Sequence, residues 1–149
     1  MKPITGLKNK WLICSVATIL LGTAPFVYGA DAETVFRTDG NIAYVSGGVG
    51  DESLGRLAAL ASEFNLKMIF AMNSGEYVSG VRVVINRLDG KGPSIVDAVA
   101  DGPWFLTRLP AGTYQVSASL AGKTEKRQIT VGAKKLTTVD FRWAARNQR

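Results

Sequence analysis

The sequence has no histidine and a single cysteine. Without histidine the chain lacks the side chain most used as a general base near neutral pH and most used as a metal ligand. A Ser-His-Asp triad and a Cys-His pair are both excluded. The one thiol, Cys14, lies in an apolar run near the N-terminus, preceded by Leu12 and Ile13 where a lipidation signal would carry small residues. Once that run is removed no cysteine is left, so neither a disulfide nor a zinc or copper site is expected. The fold must then be held by its apolar core. There is no long internal repeat and no low-complexity tract. The glycine-rich stretch Ser46-Gly47-Gly48-Val49-Gly50 lacks the lysine of a P-loop, and Ser53 stands where a dinucleotide fingerprint carries its third glycine. Asp51 and Glu52 would repel a phosphate, so a structural turn is expected there.

The N-terminus has the layout of a targeting signal. Lys2, Lys8 and Lys10 form a positive region, an apolar run follows from Trp11 to Val27, and Ala30-Asp31-Ala32 supplies small residues at a cleavage site. A signal peptide over residues 1–32 is expected, cut after Ala32 or Ala30, with the protein delivered to the periplasm and not membrane-spanning afterwards. The alternative is an uncleaved anchor in the inner membrane, since the run approaches a spanning length; Pro25 and the small-residue exit favour cleavage. A chain starting at Glu33 retains 117 residues, enough for a useful core.

Residues 33–75 read as a polar leader followed by a strand-helix-strand segment. Ile42 to Ser46 is a short β-branched stretch. From Asp51 to Glu63, Leu54, Leu57, Ala58, Ala61 and Phe64 recur at helical spacing, and Asp51 and Glu52 suit the positive end of a helix dipole. Asn65 is a stop, and Leu66 to Met72 is a second strand. From residue 76 to 149 short strands alternate with turn signals about every ten residues. Val81, Val83 and Ile85 share a face; Tyr114, Val116, Ala118 and Leu120 alternate strictly with polar residues; Val139, Phe141 and Trp143 point inward.

Asp101-Gly102-Pro103-Trp104-Phe105-Leu106, then Leu109-Pro110-Ala111-Gly112-Thr113-Tyr114-Gln115-Val116, then Gly122, resemble the carboxypeptidase regulatory-like domain family over about residues 78–143. The shared pattern is an Asp-Gly turn, an aromatic strand, a Leu-Pro-x-Gly-x-Tyr corner and a later glycine. Asp101, Gly102, Leu109, Pro110, Gly112, Tyr114 and Gly122 are its structural residues, with Gly102 and Gly112 expected to relieve unusual backbone angles. The resemblance implies a mainly β fold, a seven-stranded-type β-sandwich (transthyretin- or prealbumin-like), here with an N-terminal helix flanked by short strands. It implies no catalytic residues. The whole chain resembles small standalone proteobacterial envelope proteins that contain this domain. Residues Leu54 to Val84 are also somewhat similar to the short N-terminal interaction modules of secretins and TonB-dependent receptors.

The formal charge is +6; removing residues 1–32 takes three of 18 basic residues and one of 12 acidic residues, leaving +4. Eight basic and two acidic residues fall between Lys123 and Arg149. Such a region suits contact with a glycan or an anionic surface, or the guarding of an edge strand by lysines. No nucleic-acid module is recognisable, and no nucleic acid is expected as partner. Trp104, Phe105 and Arg108 are the candidate binding surface, although adjacent strand residues must face opposite ways. Asp51, Glu52, Asp97 and Asp101 have no spacing that pairs carboxylates for glycosidase chemistry or clusters oxygens for calcium. The expectation is therefore a non-enzymatic accessory protein of the cell envelope with no cofactor, bound to an envelope protein partner. A carbohydrate-binding β-sandwich is the alternative.

Overall fold

The computed structural model describes residues 34–38 and 40–145. The expected signal segment and its cleavage site lie outside them. In chain order come β1 (Phe36–Arg37), β2 (Ala43–Gly47), α1 (Asp51–Leu60), a 3-10 turn (Ala61–Glu63), β3 (Leu66–Met72), β4 (Arg82–Arg87), β5 (Val96–Val99), β6 (Trp104–Thr107), β7 (Gly112–Leu120), β8 (Lys123–Val131) and β9 (Thr137–Trp143). The strands make two sheets, ordered β1-β2-β6-β3-β9 and β5-β4-β7-β8. The class is the one expected: mainly β, a two-sheet sandwich with one short helix.

The strand count differs from the seven-strand type, for a definite reason. β2 and β3 both run antiparallel to β6 and flank it, so they are members of the sandwich. The boundary expected between residues 75 and 76 is not a seam. β2 and β3 are thus parallel to each other, and β2-α1-β3 is a crossover unit with β6 inserted between its strands. β3 also pairs in parallel with β9 over its full length, Leu66 against Thr137 through Met72 against Trp143. Part of the leader expected to be loose forms β1, where Phe36 lies opposite Tyr44 and stacks on it at 5.6 Å.

Period-two alternation explains which side of each sheet is apolar. Met68, Phe70, Phe105, Phe141 and Trp143 of the first sheet meet Val83, Ile85, Val116, Ala118 and Ile129 of the second, all essentially buried. A second, smaller cluster lies on the outer face of the first sheet, where Val45 and Leu106 meet Leu57 and Phe64. This is what α1 covers. Its buried side chains are Ser53 and Leu57, whereas Ala58, expected on the apolar stripe, is exposed. The stripe is narrower than the spacing suggested because the helix ends at Leu60 and passes into the 3-10 turn, which swings Phe64 inward. Gly50 starts the helix without a side-chain cap, and the Gly48 N–H instead donates to Ser53 Oγ at 2.8 Å. No helix among the described residues is long and apolar enough to cross a membrane.

Two residues, Gly102 and Asn65, have reasons that local sequence could not supply. A Cβ on Gly102 would lie 2.2 Å from the Gly47 carbonyl oxygen, so this glycine is required by close approach of two backbones and not by a turn angle. The adjacent Asp101 N–H donates to Ser46 Oγ at 3.0 Å, tying the same corner to β2. Asn65, expected as a helix stop, is 2% exposed. Its Nδ2 donates to the carbonyls of Leu109 (2.7 Å) and Gly132 (3.0 Å), and its Oδ1 accepts from the Leu109 N–H (2.8 Å). One amide thereby fixes the chain reversals before β7 and β9 to the start of β3. The Tyr114 hydroxyl donates to the Pro110 carbonyl across the same corner.

Candidate binding surfaces

Trp104, Phe105 and Arg108 do not form one surface. Phe105 is fully buried, stacked on Tyr44 at 5.3 Å inside the sandwich. That corrects its assignment as a binding residue and removes the aromatic platform on which the carbohydrate reading stood. Trp104 turns to the opposite face, half-buried beside α1, as neighbouring strand residues must. The Lys67 ammonium sits over its ring, 3.2 Å from the centroid. Loss of water around Lys67 pushes its pKa down, and the Asp140 carboxylate partly opposes this. Trp104 Nε1 is buried without a hydrogen-bond partner among the described residues. Arg108 is exposed, and its guanidinium donates to the Glu63 carbonyl at 3.0 Å, holding the 3-10 turn against β6.

The carboxylates are likewise dispersed. Asp97 on β5 takes two hydrogen bonds from Arg82 on β4, at 2.9 and 2.8 Å, across an exposed pair. These bonds hold the Asp97 carboxyl below its usual range. Asp51 and Glu52 occupy the first turn of α1, and Glu52 lies 3.9 Å from Arg56 one turn on. Among the described residues no three His, Cys, Asp or Glu side chains are grouped to hold a metal.

The side of the sandwich bounded by β8 and β9 has a different character. Each of these strands is the last in its sheet. Between them runs an open groove of about 530 Å³ lined by Arg127, Gln128, Thr130, Thr137, Thr138 and Arg142, among others. The first six residues of β8, Lys123 to Gln128, are all exposed. The Arg127 guanidinium lies 5.5 Å from the Phe141 ring and covers the end of the core. Trp143 Nε1 donates to the Lys123 carbonyl at 3.3 Å, linking β9 to β8 across the sheets. Lys123, Lys126, Arg127 and Arg142 face only Glu125 and Asp140 among the charges of these two strands, and no ion pair joins these residues to one another. The sequence signalled this basic stretch but not its placement on a sheet edge with no further strand among the described residues, which depends on which strands pair.

A second open groove of about 520 Å³ lies at the other side, between β2 and β5, with Tyr44, Ile42, Ile95, Arg87 and Lys91 on its walls.

No family model matches the chain, and no curated protein matches it. The carboxypeptidase regulatory-like assignment therefore stands on its turn motif alone. Among solved structures the chain is similar to 5-hydroxyisourate hydrolase of Klebsiella pneumoniae, at 17% identity and a TM-score of 0.43, over 56% of this chain and 86% of that one. The two-sheet arrangement is the sandwich class that the turn motif implied. The expectation of a non-enzymatic chain is corrected by this neighbour, which is an enzyme. The missing histidine excludes particular catalytic groups; carboxylates, lysines and tyrosines remain. The likeness brings no activity, substrate or site residue to this chain.

Proposed function

We propose that the protein is an exported accessory protein of the bacterial envelope that works by binding a protein partner through its basic β8–β9 side. The observation that carries this reading is the free edge itself: a nine-residue strand whose first six residues are exposed, beside an open groove, with cations in excess. Export is supported by the lysine-rich start, the apolar run and Ala30-Asp31-Ala32. The accessory role is supported by the turn motif around Asp101-Gly102 and Leu109 to Tyr114, which resembles domains that work beside larger partners.

Cell fractionation together with a photo-crosslinking side chain placed at Lys126 tests the reading. A discrete crosslinked species in the envelope fraction is expected from position 126, and not from Gly90 in the loop between β4 and β5. Cytoplasmic accumulation, or equal crosslinking from both positions, would overturn it.

A further inference from the structure

The backbone of β8 determines which of its groups are unpaired. β7 and β8 are joined by the two-residue loop Ala121-Gly122, both residues with positive φ (48° and 81°), as a type I′ hairpin requires. In such a hairpin the closing pair, Leu120 and Lys123, exchanges hydrogen bonds, and bonding pairs then recur at every second residue. Lys123, Glu125, Arg127, Ile129 and Val131 therefore bond to β7. The neighbouring ladder agrees, because the Leu88 N–H donates to the Thr113 carbonyl on the far side of β7. Thr124, Lys126, Gln128 and Thr130 consequently direct their N–H and C=O groups away from the sheet. No strand accepts them among the described residues.

We infer that this edge accepts an extended, acidic segment of a partner protein as an added antiparallel strand. The inference rests on the binding reading above and names the chemistry of the occupant. Main-chain bonds to Thr124, Lys126, Gln128 and Thr130 supply register-tolerant affinity, as in other strand additions. Selectivity comes from charge. Side chains of the added strand that turn toward the groove meet Arg127, and those that turn outward meet Lys126. A second copy of this chain is the poorer occupant. Lys123, Lys126 and Arg127 outnumber Glu125 on each β8, so a ribbon of two would carry an uncompensated positive charge. Acidic residues placed opposite these cations remove that repulsion.

The experiment uses the protein purified from the cell fraction where it accumulates, titrated with a synthetic β-forming peptide that alternates glutamate with valine. A peptide with lysine in place of glutamate and a glutamate peptide N-methylated at alternate residues are the controls. The glutamate peptide is expected to slow hydrogen exchange at the amides of Thr124, Lys126, Gln128 and Thr130, with weaker binding at higher salt. Gln128→Pro removes an outward N–H without touching the β7 ladder, and is expected to weaken binding about tenfold or more. Lys126→Glu should weaken the glutamate peptide and improve the lysine one, which keeps the test valid if the proline variant does not fold. Equal binding of both peptides, binding unaffected by N-methylation, or edge protection that grows with protein concentration alone would each overturn the proposal. A crosslink from position 126 combined with an inert peptide would sink strand addition and leave the binding reading standing.

Discussion

Two glycines show how differently the same residue type is constrained. At Gly102 any side chain meets the Gly47 backbone, and neither partner can rotate away. Gly102→Ala should therefore part β2 from the Asp101-Gly102-Pro103 corner and cost about 2–3 kcal/mol, read from urea unfolding midpoints. Gly90 has φ 64° and open space around it, so Gly90→Ala should cost only about 1 kcal/mol in the same assay. Equal effects would show that close approach is not what Gly102 serves. Asn65 is the other residue whose value is non-local. Asn65→Leu leaves the buried Leu109 N–H without its acceptor and removes two further bonds, so a loss of about 3 kcal/mol is expected, together with faster exchange of the Leu109 amide. From the sequence Asn65 read only as a helix stop and Gly102 only as a turn residue. Their partners, Leu109, Gly132 and Gly47, are distant in the chain or separated from them by several elements, and no local pattern points to them.

Strands with a clear two-residue period were legible before their positions were. Leu66 to Met72 reads as a strand with the bounds β3 has, and the alternation from Tyr114 to Leu120 marks the inward face of β7. β1 was not legible, since two residues carry no period and its pairing with β2, with Phe36 opposite Tyr44, is a tertiary contact. Sheet membership was missed for a similar reason: pairing of β2 and β3 with β6 joins segments far apart in sequence, which periodicity does not encode. The candidate surface failed at Phe105 because alternation says that Trp104 and Phe105 diverge without saying which one enters the core. The helix packs outside the main core, through the cluster of Val45, Leu57, Phe64 and Leu106 on the outer face of the first sheet. Leu57→Ala should lower stability by about 2–4 kcal/mol. Native-state hydrogen exchange should show α1 amides opening more readily than those of β4 and β7. Simultaneous opening of both would mean that the helix and sandwich form one cooperative unit.

For the molecule as a whole, stability should fall at both ends of the pH scale for identifiable reasons. Burial pushes the Tyr114 phenol up from its ordinary value, while a nearby Arg87 partly opposes this. The folded state then holds that proton where the unfolded state releases it. Stability from Tyr114 is complete below about pH 10 and declines as pH rises beyond it. Lys67 acts in the opposite direction, since its depressed pKa makes release of its proton on the alkaline side favour folding. Thermal melts between pH 9 and 11 should thus fall less steeply in Tyr114→Phe and more steeply in Lys67→Met than in the parent. At the acid end the Arg82–Asp97 contribution is present above about pH 4 and lost as pH falls below it, with a small amplitude because the pair is exposed. An unchanged acid limb in Asp97→Asn is the result expected if that pair contributes nothing measurable. The parallel pairing of β3 with β9 has a consequence in time as well as in space. β9 is made after the other described strands, and β3 waits on it with one edge open and with Met68 and Phe70 lacking Val139, Phe141 and Trp143 as neighbours. During synthesis the first sheet stays incomplete until β9 emerges, so its inner face remains uncovered and pliable while β4 to β8 are already made.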